Sequence, residues 1–206
     1  MALLGRIALI AMTTLIVIAV APVIDLIDRG IDTRRPPGRV EAFVARRLRH
    51  VAIPWKARRS TNPEPSNPEV LRDAMEHFAD HCASCHGNDG KGQTEIGGNL
   101  YPKAPDMTRP ETQRLSDGEL FFIIKNGVRF TGMPAWGSDT AEDDRASWQL
   151  VRFIRRLPHL TSEDLEAMSR MNPISPGEMK ERKETEQFLE GAEEKPPAPE
   201  KHIHKQ

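Results

Sequence analysis

The chain has 206 residues, of which 38% are apolar and 29% are charged, and its formal net charge is −1. The length suits one or two domains, and the composition is typical of a soluble globular part with polar extensions. A net charge this close to zero excludes a protein that attracts nucleic acid through an overall positive field.

The charges are unevenly distributed along the chain. Residues 29–60 carry ten Arg or Lys against two acids, whereas residues 161–206 carry eleven acids against seven Lys or Arg. Prolines are concentrated near both regions. The pattern predicts one compact domain, residues 67–160, between a basic, proline-rich linker over 29–66 and an acidic extension over 161–206.

The N-terminus contains an uncharged apolar run, residues 7–24, directly after Arg6. Eighteen helical residues at about 1.5 Å each span about 27 Å, close to the thickness of a bilayer core. The run shows no polar face, which argues against a buried soluble helix. We predict an uncleaved signal anchor in residues 1–28.

A cleaved signal peptide is the alternative interpretation of this run. Residues 19–21, Ala-Val-Ala, have the small-x-small form of a cleavage site. Pro22 then stands at the first mature position, where it should hinder cleavage, and the run is long for a signal-peptide core. These two features favour the anchor.

The linker contains one predicted helix, which Pro54 ends. Its apolar residues fall on a single stripe: Val40, Phe43, Val44, Leu48 and Val51. A basic amphipathic helix of this kind can lie on an anionic membrane surface or on a partner, and a solvated tether helix is the plainer alternative. The proline-rich segment 60–68 that follows predicts a semi-stiff spacer.

Three helices are predicted in the central domain, with no convincing strand. The first has Asn67 as its N-cap and Pro68 in its first position, and it continues to Cys82. The last covers residues 140–158. A loop of about thirty residues, "GNDGKGQTEIGGNLYPKAPDMTRPETQR", follows the first helix, and loops of that length without structure are uncommon in compact domains.

The second core helix has clear signals at both ends. Ser116 and Glu119 form a capping box, and Gly127 ends the helix.

Three short helices and a long loop bury too little apolar surface on their own. A large apolar prosthetic group would supply the missing core.

The acidic extension predicts two charged helical pieces, broken at Pro173 and Pro176, and a disordered tail. His202 and His204 lie in that tail. Two ligands on a disordered segment bind metal weakly, so a solvated tail is the favoured interpretation over a copper or zinc site.

Both cysteines of the chain lie in one motif, Cys82-Ala-Ser-Cys85-His86. Cys-x-x-Cys-His is the attachment signature of c-type haem. Two thiols three positions apart reach the two vinyl groups of the porphyrin, and the histidine then lies under the iron as an axial ligand. With both cysteines used in this way, no disulfide is expected in the monomer.

Two other uses of the cysteines fit less well. A structural zinc site needs four Cys or His ligands at paired spacing, and no second cysteine pair exists; His77 and His81 both lie on the preceding helix. A thioredoxin-like redox pair needs a βαβ context, which the pattern does not contain.

The sixth ligand of the iron decides between electron transfer and chemistry at an open site. Met133, between Gly132 and Pro134 and 47 residues after His86, is the best candidate. Met107 is the second candidate, and Met75 is expected in the core. A thioether ligand favours Fe(II) and raises the reduction potential.

Residues 67–158 resemble a class I cytochrome c domain of the type found in cytochrome cbb3 oxidase subunits and small bacterial electron carriers. The resemblance is carried by "HFADHCASCHGNDGKG", "APDMT", "SDGELFFIIKNG", "GMPAWG" and "WQLVRFIRRLP". It implies an all-α fold of short helices around one covalently bound haem, with the first and last core helices crossing near Phe78 and Trp148. It also implies His86 and Met133 as axial ligands.

The resemblance further suggests a role for Pro105. At this position the family supplies a backbone carbonyl to the ring N–H of the axial histidine, which fixes the orientation of the imidazole. The sequence departs from the family pattern here, because Asp106 and Met107 replace Asn and Leu.

Topology signals conflict. The flank after the anchor is basic, and the positive-inside rule would keep the following domain in the cytoplasm; the residues concerned are Arg29, Arg34, Arg35 and Arg39. Covalent haem is installed outside the cytoplasmic membrane in bacteria. We give the haem motif precedence and predict a single-pass inner-membrane protein with its haem domain in the periplasm.

The predicted function is that of a membrane-anchored monohaem cytochrome, an electron carrier rather than an enzyme. It would exchange single electrons with redox protein partners, and neither nucleic acid nor a small-molecule substrate is expected. A haem-carrying subunit of a larger oxidase or dehydrogenase is the alternative. A haem-based sensor or peroxidase would need an open iron site, which Met133 disfavours.

Overall fold

The computed structural model describes residues 2–30, 32–138, 140–174 and 176–189. The described part of the chain is helical and contains no strand, which confirms the all-α prediction. The tail from residue 190, with His202 and His204, lies outside it. The helices are α1 Ala2–Arg29, α2 Arg39–Ala52, α3 Trp55–Arg58, α4 Pro68–His77, α5 Ala83–His86, α6 Glu95–Asn99, α7 Pro110–Gln113, α8 Asp117–Asn126, α9 Ala141–Arg156, α10 Ser162–Met171 and α11 Pro176–Leu189.

The N-terminal helix α1 is long and apolar enough to cross a membrane. Its candidate span, Leu3–Asp25, has a mean hydropathy of 2.7, and none of its hydrophobic window is buried against the rest of the protein. Pro22 lies inside the helix without interrupting it. A helix with apolar side chains all round, and no protein packed on it, suits a lipid environment.

The core is built where α4 and α8 pack on α9. Helix α9 buries one apolar face against both neighbours, formed by Leu150, Val151, Phe153 and Ile154. The Phe78 ring lies 5.1 Å from that of Phe153, whereas Trp148 stacks on Phe121 at 4.1 Å. The expected crossing of the first and last core helices is therefore present, but Phe153 and not Trp148 makes the ring contact with Phe78.

Helix ends follow the predicted signals. Asn67 Oδ1 accepts a hydrogen bond from the Val70 N–H at 2.8 Å. Ser116 Oγ accepts from the Glu119 N–H at 3.2 Å, and Glu119 Oε2 accepts from the Ser116 N–H at 2.8 Å. Gly127 follows the end of α8 with a φ of +66°. These contacts confirm the N-cap, the capping box and the glycine stop.

The linker packs against the domain from Ile53 onward, which its sequence did not indicate. Ile53 is only 3% exposed. The Arg152 guanidinium on α9 donates to the Glu64 carbonyl at 2.6 Å, and Asn62 Nδ2 donates to the Trp148 carbonyl at 2.9 Å. A proline-rich segment leaves its carbonyls without internal partners, so the side chains of α9 bind them instead and hold the predicted spacer on the domain.

The C-terminal extension also contributes to the core. Helix α10 packs against α4 and the π-helical turn Phe78–Cys82 that follows it, and Met168 of α10 is fully buried. Helix α10 ends at Met171 and α11 begins at Pro176. The predicted break between two helical pieces is therefore confirmed.

Candidate functional site

A cavity of about 310 Å³ lies between the turn after α4, the α8–α9 core and the two long loops. Its lining is predominantly apolar. The cavity brings together every predicted site residue, namely Cys82, Cys85, His86, Pro105 and Met133.

The motif occupies a short, tightly wound segment after α4. Helix α4 is followed by the π-helical turn Phe78–Cys82 and then by α5. Helix α5 ends at Gly87, whose φ is +71°. Residues three apart on such a turn face the same side. Both cysteines consequently line the cavity, together with the histidine that follows them.

Helix α6 packs against α5 and holds the haem-attachment motif in place. Thr94 Oγ1 donates to the Ser84 carbonyl at 2.8 Å and accepts from the Gly97 N–H at 2.9 Å. A Cβ on Gly97 would lie 2.0 Å from the carbonyl oxygen of Cys85. Helix α6 can pack backbone to backbone on α5 because Gly97 has no side chain. The long segment that was predicted as a loop thus contains two short helices, α6 and α7.

The His86 side chain is half-buried, and its ring atom Nδ1 is fully buried. Burial lowers its pKa, and a weaker interaction with the Pro105 backbone carbonyl raises it. The ring atom Nδ1 nevertheless makes no hydrogen bond of good geometry with any described residue. The Pro105 carbonyl is thus near the ring but not optimally aligned. Burial favours the neutral imidazole, which is the form that binds metals.

The two thiols are free and lie close enough to affect each other. Burial, and to a lesser extent Cys85, raises the pKa of the Cys82 thiol to about 12. Neither cysteine forms a disulfide. A thiol kept protonated in this way is unlike the low-pKa thiolate of a dithiol redox motif.

Met133 lies on a loop that folds back on the end of α8. The Val128 N–H donates to the Met133 carbonyl at 3.1 Å, and the Met133 N–H donates to Thr131 Oγ1 at 3.1 Å. A Cβ on Gly127 would lie 2.7 Å from the Met133 carbonyl oxygen. The absence of a side chain at Gly127 lets this loop approach closely and brings Met133 to the cavity.

Met107 also lines the cavity, but within the core. Its side chain is 7% exposed. Its backbone N–H donates to the Gly90 carbonyl at 2.8 Å, and its carbonyl accepts from Gln113 Nε2 at 2.7 Å. Met133, in contrast, is half-buried on a surface loop.

Three basic residues that were not predicted as site residues also line the cavity: Arg49, His81 and Lys103. The His81 ring lies 5.5 Å from the Trp136 ring. No Asp or Glu belongs to the described lining. Lys103 could have been predicted near the site from its position in the glycine- and proline-rich loop that follows the haem motif. Arg49 belongs to the linker helix α2, and no local sequence pattern connects that helix to the site.

The donor set suits a large, flat, apolar group. The described residues contain no group of three or more His, Cys, Asp or Glu side chains placed to hold a metal ion on their own. A mostly apolar cavity with a few convergent polar groups is typical of a cofactor site. Two thiols, an imidazole and a thioether around such a cavity are the groups that bind c-type haem.

Comparisons with known proteins agree with this geometry. Residues 69–154 match the family described as cytochrome C oxidase, cbb3-type, subunit III. The cbb3-type cytochrome c oxidase subunit FixP of Rhizobium meliloti (strain 1021) is 33% identical over 103 residues, which are 48% of this chain and 31% of that protein. FixP of Sinorhizobium medicae (strain WSM419) is 47% identical over 82 residues, which are 37% of this chain and 25% of that protein.

The matched part is thus a quarter to a third of the length of these relatives. It contains the haem-attachment motif, the cavity helices and the Met133 loop. Residues 69–154 form a c-type cytochrome domain like that of the cbb3 subunit III family, and its cofactor is haem c.

Proposed function

We propose that this cbb3-type cytochrome c domain makes the chain a membrane-anchored carrier of single electrons, with one haem held by Cys82, Cys85, His86 and Met133. The observation that carries the proposal is that Met133, 47 residues after His86, lines the same apolar cavity as Cys82, Cys85 and His86. When bound, haem supplies reversible one-electron chemistry between the ferric and ferrous states.

The four side chains have distinct roles. Cys82 and Cys85 would hold the haem covalently, because each S–H group can add across one vinyl C=C bond of the porphyrin, forming one C–S and one C–H bond without a leaving group. His86 and Met133 would ligate the iron. The Pro105 carbonyl, which lies near the imidazole, would orient the His86 ring.

A filled sixth position favours electron transfer over catalysis at the iron. The Met133 loop is closed on itself by hydrogen bonds with Val128 and Thr131, and the Trp136 N–H ties it to α8 by donating to the Ile124 carbonyl at 3.1 Å. Such a loop keeps the thioether in place and excludes exogenous ligands. In this role the protein exchanges electrons with redox protein partners and transforms no small-molecule substrate.

The haem domain lies on the periplasmic side of the inner membrane in this proposal. Helix α1 is the membrane span in this proposal, being the one helix among the described residues that is long and apolar enough, and covalent haem attachment takes place outside the cytoplasm. This orientation requires the basic flank after α1 to be exported, against the positive-inside rule.

Haem content tests the proposal directly. We expect one haem per chain when the protein is made with a cytochrome c maturation system, measured by a pyridine haemochrome spectrum. The haem should remain with the protein after acid–acetone extraction, because thioether bonds hold it. Cys82→Ala or Cys85→Ala should each reduce haem loading strongly. Haem that is fully extractable from the wild-type protein would refute covalent attachment.

Membrane association tests the role of α1. We expect the full chain to fractionate with membranes and to stay there through salt and carbonate washes, because about 20 apolar residues anchor a helix. A variant with residues 1–28 replaced by a cleavable signal should be a soluble red protein. A mature N-terminus at Pro22 in the unaltered protein would show instead that the run is a signal peptide.

A subunit of a larger oxidase is a second candidate function. The relatives that match are themselves named as oxidase subunits, which favours this role. Solubilisation in mild detergent separates the two candidates. A subunit should migrate with other membrane proteins as one stable assembly, whereas a free carrier should migrate alone.

A further inference from the structure

Helix α2 lies across one side of the haem cavity, although it precedes the matched domain. The Tyr101 hydroxyl donates to the Glu41 carboxylate near the start of α2, and His50 Nδ1 lies 2.9 Å from Glu119 Oε1 near its end. Nine residues of helix separate these two contacts, a distance of about 13 Å. The helix is therefore attached near both ends to residues that adjoin the cavity lining, namely to the loop before Pro105 and to the start of α8.

The face of α2 that is turned toward the domain carries one cation. Ala42 and Arg49, seven residues apart on the same face, are half-buried, and the other α2 side chains are exposed. Arg49 alone among the α2 residues lines the cavity.

Arg49 has no anionic partner among the described residues. Its guanidinium makes no hydrogen bond with them and no ion pair within 4 Å, whereas its backbone carbonyl accepts from the Ile53 N–H at 3.3 Å. Its pKa is lowered, first by burial and then by Arg46, and Glu119 counteracts this only in part. Glu119 Oε2 accepts from the Ser116 N–H at 2.8 Å, and Oε1 lies 2.9 Å from His50 Nδ1 without a hydrogen bond of good geometry; neither oxygen forms an ion pair with Arg49. A half-buried guanidinium without a partner is costly unless an anion joins it.

The charge of the cavity wall fits such an anion. Arg49 and Lys103 both line the cavity, and no Asp or Glu belongs to its described lining. Haem carries two propionate carboxylates on one edge of an otherwise apolar ring. A guanidinium binds a carboxylate through two parallel N–H···O bonds, which makes arginine better suited than lysine to that contact.

We propose that α2 is a cap on the haem cavity and that Arg49 binds a haem propionate, which sets the reduction potential from outside the cytochrome domain. This inference rests on the proposed function, because it requires haem in the cavity. It assigns a role in cofactor binding to the segment between the membrane helix and the domain. A positive charge near the iron stabilises the more negative, ferrous state, so Arg49 raises the potential.

The test is a redox titration of the haem-loaded full chain in detergent. We expect Arg49→Gln to lower the reduction potential. The shift should persist at about 1 M salt, where the Debye length is about 3 Å and exposed charges are screened. Arg49→Lys should recover part of the potential because the charge is kept, and Arg49→Leu, which has an apolar side chain without a charge, should not recover it.

Arg47→Gln is the matched control, since Arg47 is an exposed cation on the same helix. Its effect on the potential should be small and should disappear at high salt. Equal shifts in Arg49→Gln and Arg47→Gln, or shifts at position 49 that vanish with salt, would overturn the propionate contact. Covalent haem content, measured first in every variant, distinguishes this failure from failure of the proposed function: haem would then be present and only the effect at position 49 absent.

Discussion

Gly97→Ala is expected to destabilise the haem domain and to reduce its haem loading, whereas Gly98→Ala should do neither. A Cβ on Gly97 would lie 2.0 Å from the Cys85 carbonyl oxygen and 3.0 Å from the Ala104 Cβ. Because the closest atom is backbone, only a displacement of α5 or α6 relieves the clash. Overpacking of this kind costs about 1–3 kcal/mol, and here it displaces the segment that carries both cysteines.

Gly98 is a closely matched control. It is the next residue of the same short helix, and a Cβ there meets nothing within 4 Å. Alanine is favoured over glycine inside a helix by about 0.5–1 kcal/mol, so Gly98→Ala should leave stability unchanged or raise it slightly. Thermal unfolding and haem content per chain measure both effects. Equal stability of the two variants would show that α6 does not hold the motif in place.

The sequence was sufficient to predict the features that depend on local chemistry. The Asn67 cap, the Ser116–Glu119 capping box and the Gly127 stop each require only residues within one turn of a helix. The apolar run of α1 is similarly local. These features predict where α4 and α8 begin and where α8 ends.

Features that depend on distant contacts could not be predicted in this way. The proline-rich spacer lies on α9 because Arg152 binds the Glu64 carbonyl, 88 residues earlier in the chain. The extension contributes Met168 to the core, although its composition is that of a solvated helix. The position of Arg49 at the cavity likewise follows from the contacts of Glu41 and His50, which no local pattern contains.

The site itself was predicted from two short motifs that carry cofactor chemistry. Cys82, Cys85 and His86 form a recognised attachment signature, and Met133 stands between glycine and proline in a loop. The structure places all four residues around one cavity. Their roles as thioether and axial ligands stay predictions, and Met107, which lines the same cavity, is the rival for the sixth position.

Met133→Ala is expected to convert a closed electron-transfer site into an open one. The oxidised wild-type protein should show the weak far-red absorption band that sulfur ligation gives to ferric haem, and the variant should lack it. The reduction potential should fall, because the preference of the thioether for Fe(II) is lost. The ferrous variant should bind carbon monoxide rapidly, which the wild-type protein should not do.

Met107→Ala separates ligation from packing. Met107 is almost fully buried in the core, so truncation should cost about 2–5 kcal/mol of stability while the far-red band remains. If Met107→Ala lost the band and Met133→Ala retained it, Met107 would be the sixth iron ligand and Met133 would not. Rapid carbon monoxide binding by the wild-type ferrous protein would have a larger consequence. It would show that the sixth position is open or labile, and the site would then suit a sensor or a peroxidase better than an electron carrier.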